Sequence, residues 1–354
     1  MKKLVFGLII LFAISANAQY PAVQINGSHI RKITSKIVEG QEYTLHIMLP
    51  SGYEKSTKKY PVVFLMDSQW DFPLVSSIYG EQYYDGFIPE IILVGVTWGG
   101  TKPNPDSLRV RDYTPTLVNG QIQSGRADKF LGFMKNELFP FLENNYKVDP
   151  ENRTLMGCSL GGLFTLYSLF THADMFSGYV AASPAIAWDK DVIAYFEKSF
   201  SDVKLQKAKR VYMTVGEVEL GKEPFESFAK TMDSRHYNKV SLASKVLINT
   251  GHSGTKSETY TRGLQYIFER KKLELSESQL ANIEGTYISD QGKKITVFTK
   301  NKQTFASISP DLTVPIFANS SEHFYATFSF FNLYFTFEKI ELTQYGNSTF
   351  FKKL

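Results

Sequence analysis

Several short stretches of the chain are apolar at nearly every position, which is typical of strands that helices cover on both faces. Between them lie segments with apolar residues at helical spacing, most clearly residues 128–144. Strands that alternate with helices in this way predict a doubly wound α/β domain with a mostly parallel sheet. The apolar runs are residues 60–66, 91–96, 178–182, 210–215 and 245–248.

The two ends of this pattern differ from its middle. Residues 28–49 alternate between polar and apolar positions around Gly40, which predicts a β-hairpin. The pattern changes near Lys272: from Gly285 onward there are short strand-like runs separated by turns, and no helix pattern follows residues 273–280, so we predict a small all-β domain, either a barrel or a sandwich. The expected domains are residues 25–272 (α/β) and residues 275–354 (all-β). The runs behind the second prediction are residues 286–288, 294–298, 324–328 and 333–337.

The first residues are typical of a secretory signal peptide. Lys2 and Lys3 precede an apolar run over residues 4–14, and an Ala-x-Ala site ends at Ala18. The run is too short to remain as a membrane anchor. We therefore expect residues 1–18 to be cleaved and the protein to be exported, to the periplasm or the medium, with no stable membrane anchor.

The net charge limits the kinds of partner that we expect, and the cysteine content limits how the fold can be stabilised. The formal charge is +4, and loss of the two signal-peptide lysines would leave a weak positive charge that does not suit nucleic acid. A small-molecule partner is expected instead. Cys158 is the only cysteine, so no internal disulfide can form and the fold must rely on its core.

The most informative motif is Gly157-Cys158-Ser159-Leu160-Gly161, which stands between a strand-like run and a helix-like run. This pattern predicts a nucleophile elbow, a turn so tight that a Cβ at either glycine would collide with its neighbours. Ser159 is the predicted nucleophile. Cys158 is out of register for that role and is interpreted as a packing residue.

The nucleophile elbow is typical of α/β-hydrolases. A serine nucleophile needs a base and an orienting acid, and α/β-hydrolases supply them along the chain in the order serine, acid, histidine. Of six histidines, His252 follows a predicted strand and lies between Gly251 and Gly254. It is therefore the predicted base. For the acid we favour Glu219, just after the strand at residues 210–215; the alternatives are Glu217 and Asp189.

The negative charge that develops on the attacked carbonyl needs backbone N–H donors. One should be the N–H of Leu160, and the second should come from the loop after residues 60–66, at or next to Gln69.

Together, these motifs resemble the esterase D-like family of α/β-hydrolases over residues 28 to about 270, and in particular its siderophore-esterase-like subgroup. The resemblance implies that Ser159 is the nucleophile, Glu219 the acid and His252 the base. Relatives usually have glycine where this chain has Ser68, and some of them work with serine and histidine alone. The matching segments are Tyr60-Pro61-Val62-Val63-Phe64-Leu65-Met66-Asp67, Arg111-Asp112-Tyr113-Thr114-Pro115, Gly157-Cys158-Ser159-Leu160-Gly161-Gly162, Ser183-Pro184-Ala185-Ile186-Ala187-Trp188 and Gly251-His252.

Two further residues are candidates for binding substrate. Arg111 follows the strand at residues 91–96, and its alternative is a structural pair with Asp112 beside a packed Trp98. Trp188 is either a pocket wall or a core residue.

The predicted activity is hydrolysis of a carboxylic ester through an acyl-enzyme on Ser159, with no metal or organic cofactor. Siderophore-type and aryl-glycan esters are the candidate substrates. The alternatives are an acyltransferase that uses the same triad and a non-catalytic relative that binds glycans or siderophores.

Overall fold

A computed structural model describes residues 24–354 except 191, 271, 328–330 and 345–346. The predicted signal peptide, residues 1–18, lies outside the described residues. Among those described, no helix is both long and apolar enough to span a bilayer.

The larger part of the chain forms an eight-stranded sheet in the order β1-β2-β4-β3-β5-β6-β7-β8. β1 and β2 are the predicted hairpin; β2 runs antiparallel to both of its neighbours, β1 and β4, whereas β3 to β8 are parallel to one another. The mostly parallel sheet is thus confirmed. Its strands are β1 Ser28–Thr34, β2 Glu42–Met48, β3 Tyr60–Leu65, β4 Ile92–Trp98, β5 Val148–Cys158, β6 Gly178–Ala182, β7 Lys209–Gly216 and β8 Val240–Leu247.

Helices cover both faces of this sheet, which explains why its central strands are apolar throughout. In β3, Val62 and Phe64 pack into the core on one face, and Val63 and Leu65 into the core on the other. The helices are α1 Ser68–Tyr84, α2 Pro105–Tyr113, α3 Ala127–Phe133, α4 Phe139–Asn145, α5 Leu160–Thr171, α6 Val192–Phe200, α7 Lys222–Ser234, α8 Thr255–Ile267 and α9 Glu277–Ile283.

The helix predicted over residues 128–144 is present, with an unusual middle. A π-helical turn over Met134–Leu138 joins α3 to α4. A short 3₁₀ helix over Tyr53–Lys55 precedes β3.

The C-terminal strands close into an antiparallel barrel, so the predicted all-β unit is a barrel and not a sandwich. Each strand pairs with the next along the chain, and the first pairs with the last. Apolar side chains such as Ile295, Leu333 and Ile340 fill the interior. The strands are β9 Gly285–Ser289, β10 Lys294–Lys300, β11 Gln303–Ser309, β12 Leu312–Ala318, β13 His323–Tyr325, β14 Phe331–Thr336, β15 Lys339–Gln344 and β16 Asn347–Lys353.

The barrel lies against the edge of the sheet at which the parallel strands begin. Arg270 Nη1 donates to Asn332 Oδ1 at 3.0 Å, and the backbone N–H of Leu273 donates to the carbonyl of Ala318 at 2.8 Å. A cleft of about 930 Å³ separates barrel residues from the segments that precede β3 and β4, including Lys58 and Glu90. The barrel is therefore remote from the carboxyl ends of the strands.

Candidate active site

Ser159 lies between β5 and α5, at the carboxyl edge of the sheet. Its φ of 59° and ψ of −117° are strained for a residue with a side chain. A Cβ at Gly157 would lie 2.7 Å from the carbonyl carbon and oxygen of Gly161, so only glycine fits there. A Cβ at Gly161 would lie 3.3 Å from its nearest atoms, so a side chain at this position would be crowded but not excluded. The elbow has the predicted strand–turn–helix form, and the predicted collision of a Cβ occurs at Gly157 but not at Gly161.

Backbone hydrogen bonds fix this turn to the end of β6. The N–H of Ser159 donates to the carbonyl of Ala182 at 2.9 Å, and the N–H of Ala185 donates to the carbonyl of Ser159 at 3.1 Å. The strained serine is therefore held in place by main-chain contacts of its own N–H and carbonyl groups.

His252 and Glu219 meet on the loops that follow β8 and β7. Nδ1 of His252 lies 2.6 Å from Oε2 of Glu219. The glutamate side chain is 9% exposed and the histidine side chain 51% exposed. Because a carboxylate can only accept, Nδ1 carries the proton of this hydrogen bond, and Nε2 is left to accept one.

A buried network holds the Glu219 carboxylate in place. Its Oε1 accepts from the hydroxyl of Ser183 at 2.6 Å and from the backbone N–H of Gly216 at 2.6 Å. The hydroxyl of Thr255 contacts Ser183 at 2.8 Å and donates to the carbonyl of His252 at 2.8 Å. Ser183 and Thr255 were not predicted as site residues, and both link the acid to the histidine loop.

The other candidate acids have different surroundings. Glu217 Oε2 accepts from the backbone N–H of Asn249 at 2.9 Å, so this side chain ties the β7 loop to the β8 loop. Asp189 makes no ion pair with His252 within the described part of the chain. Of the three carboxylates, Glu219 is the one in contact with the histidine.

Leu160 and Gln69 are the first and second residues of α5 and α1, which begin at the carboxyl ends of β5 and β3. At these positions the backbone N–H has no acceptor within its own helix. The two helix starts are adjacent, since the N–H of Met66 donates to the carbonyl of Met156 at 2.9 Å. The side-chain amide of Gln69 is buried and lacks a hydrogen-bond partner among the described residues.

The loop that leads into α1 does not need glycine at position 68. The left-handed residue is Asp67, with φ of 53°, while Ser68 is the buried first residue of the helix. The departure from the family pattern therefore adds a buried hydroxyl without straining the backbone at that position.

Arg109 holds the loop that leads into α1, and it was not among the predicted site residues. Its Nε and Nη2 donate to Oδ1 and Oδ2 of Asp67 at 3.1 and 2.7 Å. Nη2 also lies 3.4 Å from the carbonyl oxygen of Cys158, next to the elbow. Burial raises the pKa of Asp67, and the guanidinium acts in the opposite direction.

A second buried ion pair holds the first turn of α1 from the other side. Lys256 Nζ donates to Oδ1 of Asp71 at 2.6 Å, and the hydroxyl of Tyr260 donates to Oδ2 at 2.8 Å. Lys256 lies in the first turn of α8, four positions after His252. The loop of the predicted oxyanion donor and the loop of the predicted base are thus linked by side chains.

Arg111, predicted as a substrate contact, is instead a structural residue. Its guanidinium donates to both carboxylate oxygens of Asp112 at 2.7 and 2.9 Å, and to Oε1 of Gln41 at 3.0 Å. Trp98 Nε1 donates to the same aspartate at 2.7 Å. These contacts hold the Arg111 side chain in the core. They match the alternative interpretation, in which Arg111 forms a structural pair with Asp112 beside a packed Trp98.

Trp188 and Cys158 both pack against core residues, on different faces of the sheet. Trp188 is half-buried against the core, and its Nε1 is buried without a partner among the described residues. Cys158 is 3% exposed, and burial raises the pKa of its thiol to about 12. A neutral, enclosed thiol fits the packing role predicted for Cys158.

Comparison with known proteins gives a consistent result. The family model described as Putative esterase matches residues 35–255. The ferri-bacillibactin esterase BesA of Bacillus subtilis is 31% identical over 216 residues, which cover 56% of this chain and 73% of that protein. The siderophore triacetylfusarinine C esterase of Aspergillus fumigatus is 28% identical over 174 residues, which cover 47% of this chain and 59% of that protein.

Solved structures agree on the fold. A BES protein from Bacillus cereus matches with a TM-score of 0.64 at 24% identity, over 70% of this chain and 97% of that chain. The siderophore hydrolase EstB from Aspergillus nidulans matches with a TM-score of 0.61 at 20% identity, over 71% of this chain and 97% of that chain. The family match ends at residue 255, before the barrel begins.

Proposed function

Because this chain belongs to the Putative esterase family, whose siderophore-esterase members it resembles, we propose that it is a serine carboxylic-ester hydrolase that forms an acyl-enzyme on Ser159. The observation that carries the proposal is the 2.6 Å contact between His252 Nδ1 and Glu219. It orients a histidine on the same sheet edge as the strained serine and leaves Nε2 available as a base.

In the proposed reaction, His252 Nε2 takes the proton of the Ser159 hydroxyl while Oγ attacks the ester carbonyl. The backbone N–H groups of Leu160 and Gln69 stabilise the oxyanion that forms. Collapse of this intermediate breaks the ester C–O bond, and His252 gives its proton to the leaving alcohol. A water molecule, activated by the same nitrogen, then attacks the acyl group and releases the acid, which regenerates Ser159.

We infer a siderophore-type ester as the substrate class. Two curated relatives are named as esterases of siderophores, ferri-bacillibactin and triacetylfusarinine C. Aryl-glycan esters are a second candidate on chemical grounds alone. Hydrolysis of a catecholate trilactone and of a feruloylated sugar, followed by chromatography at equal substrate concentration, would rank the two classes.

We also propose that the protein is exported to the periplasm or the medium. The support is the signal-peptide pattern of residues 1–18. Expression of the full chain followed by N-terminal sequencing should find mature protein that begins at Gln19. Protein that keeps residues 1–18 would contradict export by this signal.

Replacement of Ser159 by alanine tests the central step. Ser159→Ala should lower kcat on p-nitrophenyl butyrate by about 10³-fold or more, since the nucleophile is lost while the oxyanion donors remain. The matched control is Ser177→Ala, at a serine that precedes β6 at the opposite sheet edge, and its kcat should stay within about twofold of the parent. Turnover retained in Ser159→Ala would overturn the mechanism.

A fluorophosphonate probe and a competing alcohol separate the alternatives. Labelling of Ser159 is expected for a hydrolase or a transferase, whereas a protein that only binds would not react. Acid should remain the main product when glycerol is present at high concentration. Glyceryl ester as the main product would point to an acyltransferase.

A further inference from the structure

Ser68 stands where the family resemblance leads us to expect glycine, and the structure surrounds it with specific neighbours. Its side chain is 1% exposed at the start of α1, one position before Gln69. Its hydroxyl lies 3.1 Å from Nδ1 of His46 on β2. A buried hydroxyl that meets a ring nitrogen at this distance forms a directional contact between the helix and the sheet.

Strand β4, against which Ser68 packs, has a glycine at the point of contact. His46 is the register partner of Gly95 on β4. A Cβ on Gly95 would lie 2.5 Å from Cβ of Ser68 and 2.9 Å from Cδ2 of Phe72. The first turn of α1 therefore rests directly on the backbone of β4, and any larger residue at position 95 would displace it.

The imidazole of His46 is itself held in one orientation. Its ring packs edge-on against Phe72, with the centroids 5.4 Å apart and the planes at 61°. Burial lowers the pKa of His46, which favours the neutral ring, and its Nδ1 shares a hydrogen bond with the Ser68 hydroxyl. His46, Gly95 and Ser68 thus form one packed unit under the helix start.

We propose that His46 is a positioning residue for the esterase reaction, which acts through Ser68 to fix the backbone N–H of Gln69 as an oxyanion donor. The inference rests on the proposed function, because it concerns the second donor of that same site. The donor must face the oxyanion of the transition state, and a small displacement of the helix start would weaken that contact more than substrate binding. The effect should therefore appear in kcat and not in KM.

Four variants test this role with p-nitrophenyl butyrate as substrate. His46→Leu and Ser68→Ala should each lower kcat about three- to tenfold, the effect of one lost hydrogen bond, with KM within about twofold of the parent. His46→Asn, whose side-chain amide can occupy the position of Nδ1, should keep kcat within about twofold. The double variant His46→Leu/Ser68→Ala should be no slower than either single variant, because both remove the same contact.

His172→Leu is the matched control. His172 is another partly buried histidine with a hydroxyl partner, Thr171, but it lies at the far end of α5. It should lose thermal stability as His46→Leu does and leave kcat unchanged. If His46→Leu fails to fold, Ser68→Ala and His46→Asn carry the same test.

The proposal is overturned if folded Ser68→Ala keeps the parental kcat, if His46→Asn is as slow as His46→Leu, or if the two single effects multiply in the double variant. Failure of the proposed function is a separate outcome, in which Ser159→Ala retains turnover in an otherwise unchanged chain.

Discussion

Two glutamates that lie two positions apart after β7 have different partners, and their separate roles can be measured. Glu219→Gln should lower kcat/KM for p-nitrophenyl butyrate at least about tenfold, because the amide no longer orients and stabilises the charged imidazole. Glu217→Gln has the same change in shape and charge and should stay within about twofold, since Glu217 binds the backbone of Asn249. Equal losses in both variants would contradict the assignment of Glu219.

The thiol next to the nucleophile should be inert in the native protein. With its pKa raised to about 12 by burial, Cys158 stays protonated at pH 8, and the thiol is not the reactive form. Iodoacetamide at pH 8 should label the protein only after denaturation, and Cys158→Ala should keep its esterase activity. Labelling would be measured by mass spectrometry. Rapid labelling of the native protein would contradict this prediction, because it would show that the reagent reaches the Cys158 thiol.

At the residue scale, the sequence indicates the residues proposed to react more readily than the residues that hold them. Ser159 and His252 each follow a predicted strand, so local pattern is enough to propose them, whereas Glu219 is distinguished from Glu217 by its contact with His252. Arg109 and Ser183 act through partners 42 and 36 positions away along the chain, and a single sequence carries no signal for such pairs. Arg111 was selected by its position, but a buried partner one residue away commits it to the core.

At the element scale, the ion pair between Arg109 on α2 and Asp67 before α1 should contribute to both stability and activity. Arg109→Met leaves a buried carboxylate without its partner, which should cost about 3–5 kcal/mol of unfolding free energy in urea. Arg109→Lys restores the charge but not the two-pronged contact, and it should recover only part of that loss. Full recovery by lysine would mean that charge alone matters at this position.

The elements that sequence predicts well are those buried on both sides. β3, β4 and β6 appear as apolar runs because helices cover both faces of the sheet. β8 begins at Val240, five positions before the predicted start, since an edge strand alternates with exposed polar residues such as Ser241 and Ser244. The barrel strands β11, β12, β15 and β16 were missed for the same reason, because each has one face exposed to water.

At the scale of the whole molecule, the barrel should be dispensable for chemistry. It contacts the edge of the sheet opposite Ser159, through Arg270 and the segment that follows it. We propose residues 25–272 as the catalytic unit and residues 275–354 as the barrel unit. A chain that ends at residue 272 should keep kcat/KM on p-nitrophenyl butyrate within about threefold and lose some thermal stability. A folded but inactive truncation, judged by circular dichroism, would contradict this division.

The closure of the barrel has a consequence for how the protein behaves under stress. Every barrel strand has two hydrogen-bonded neighbours among the described residues, so this unit offers less open strand edge for a second molecule than the large sheet does. The large sheet ends at β1 and β8, where the exposed charged side chains of Arg31, Lys32 and Lys245 disfavour such addition. Aggregation on heating should therefore start from loss of the helices over the large sheet, while the barrel contributes little to it.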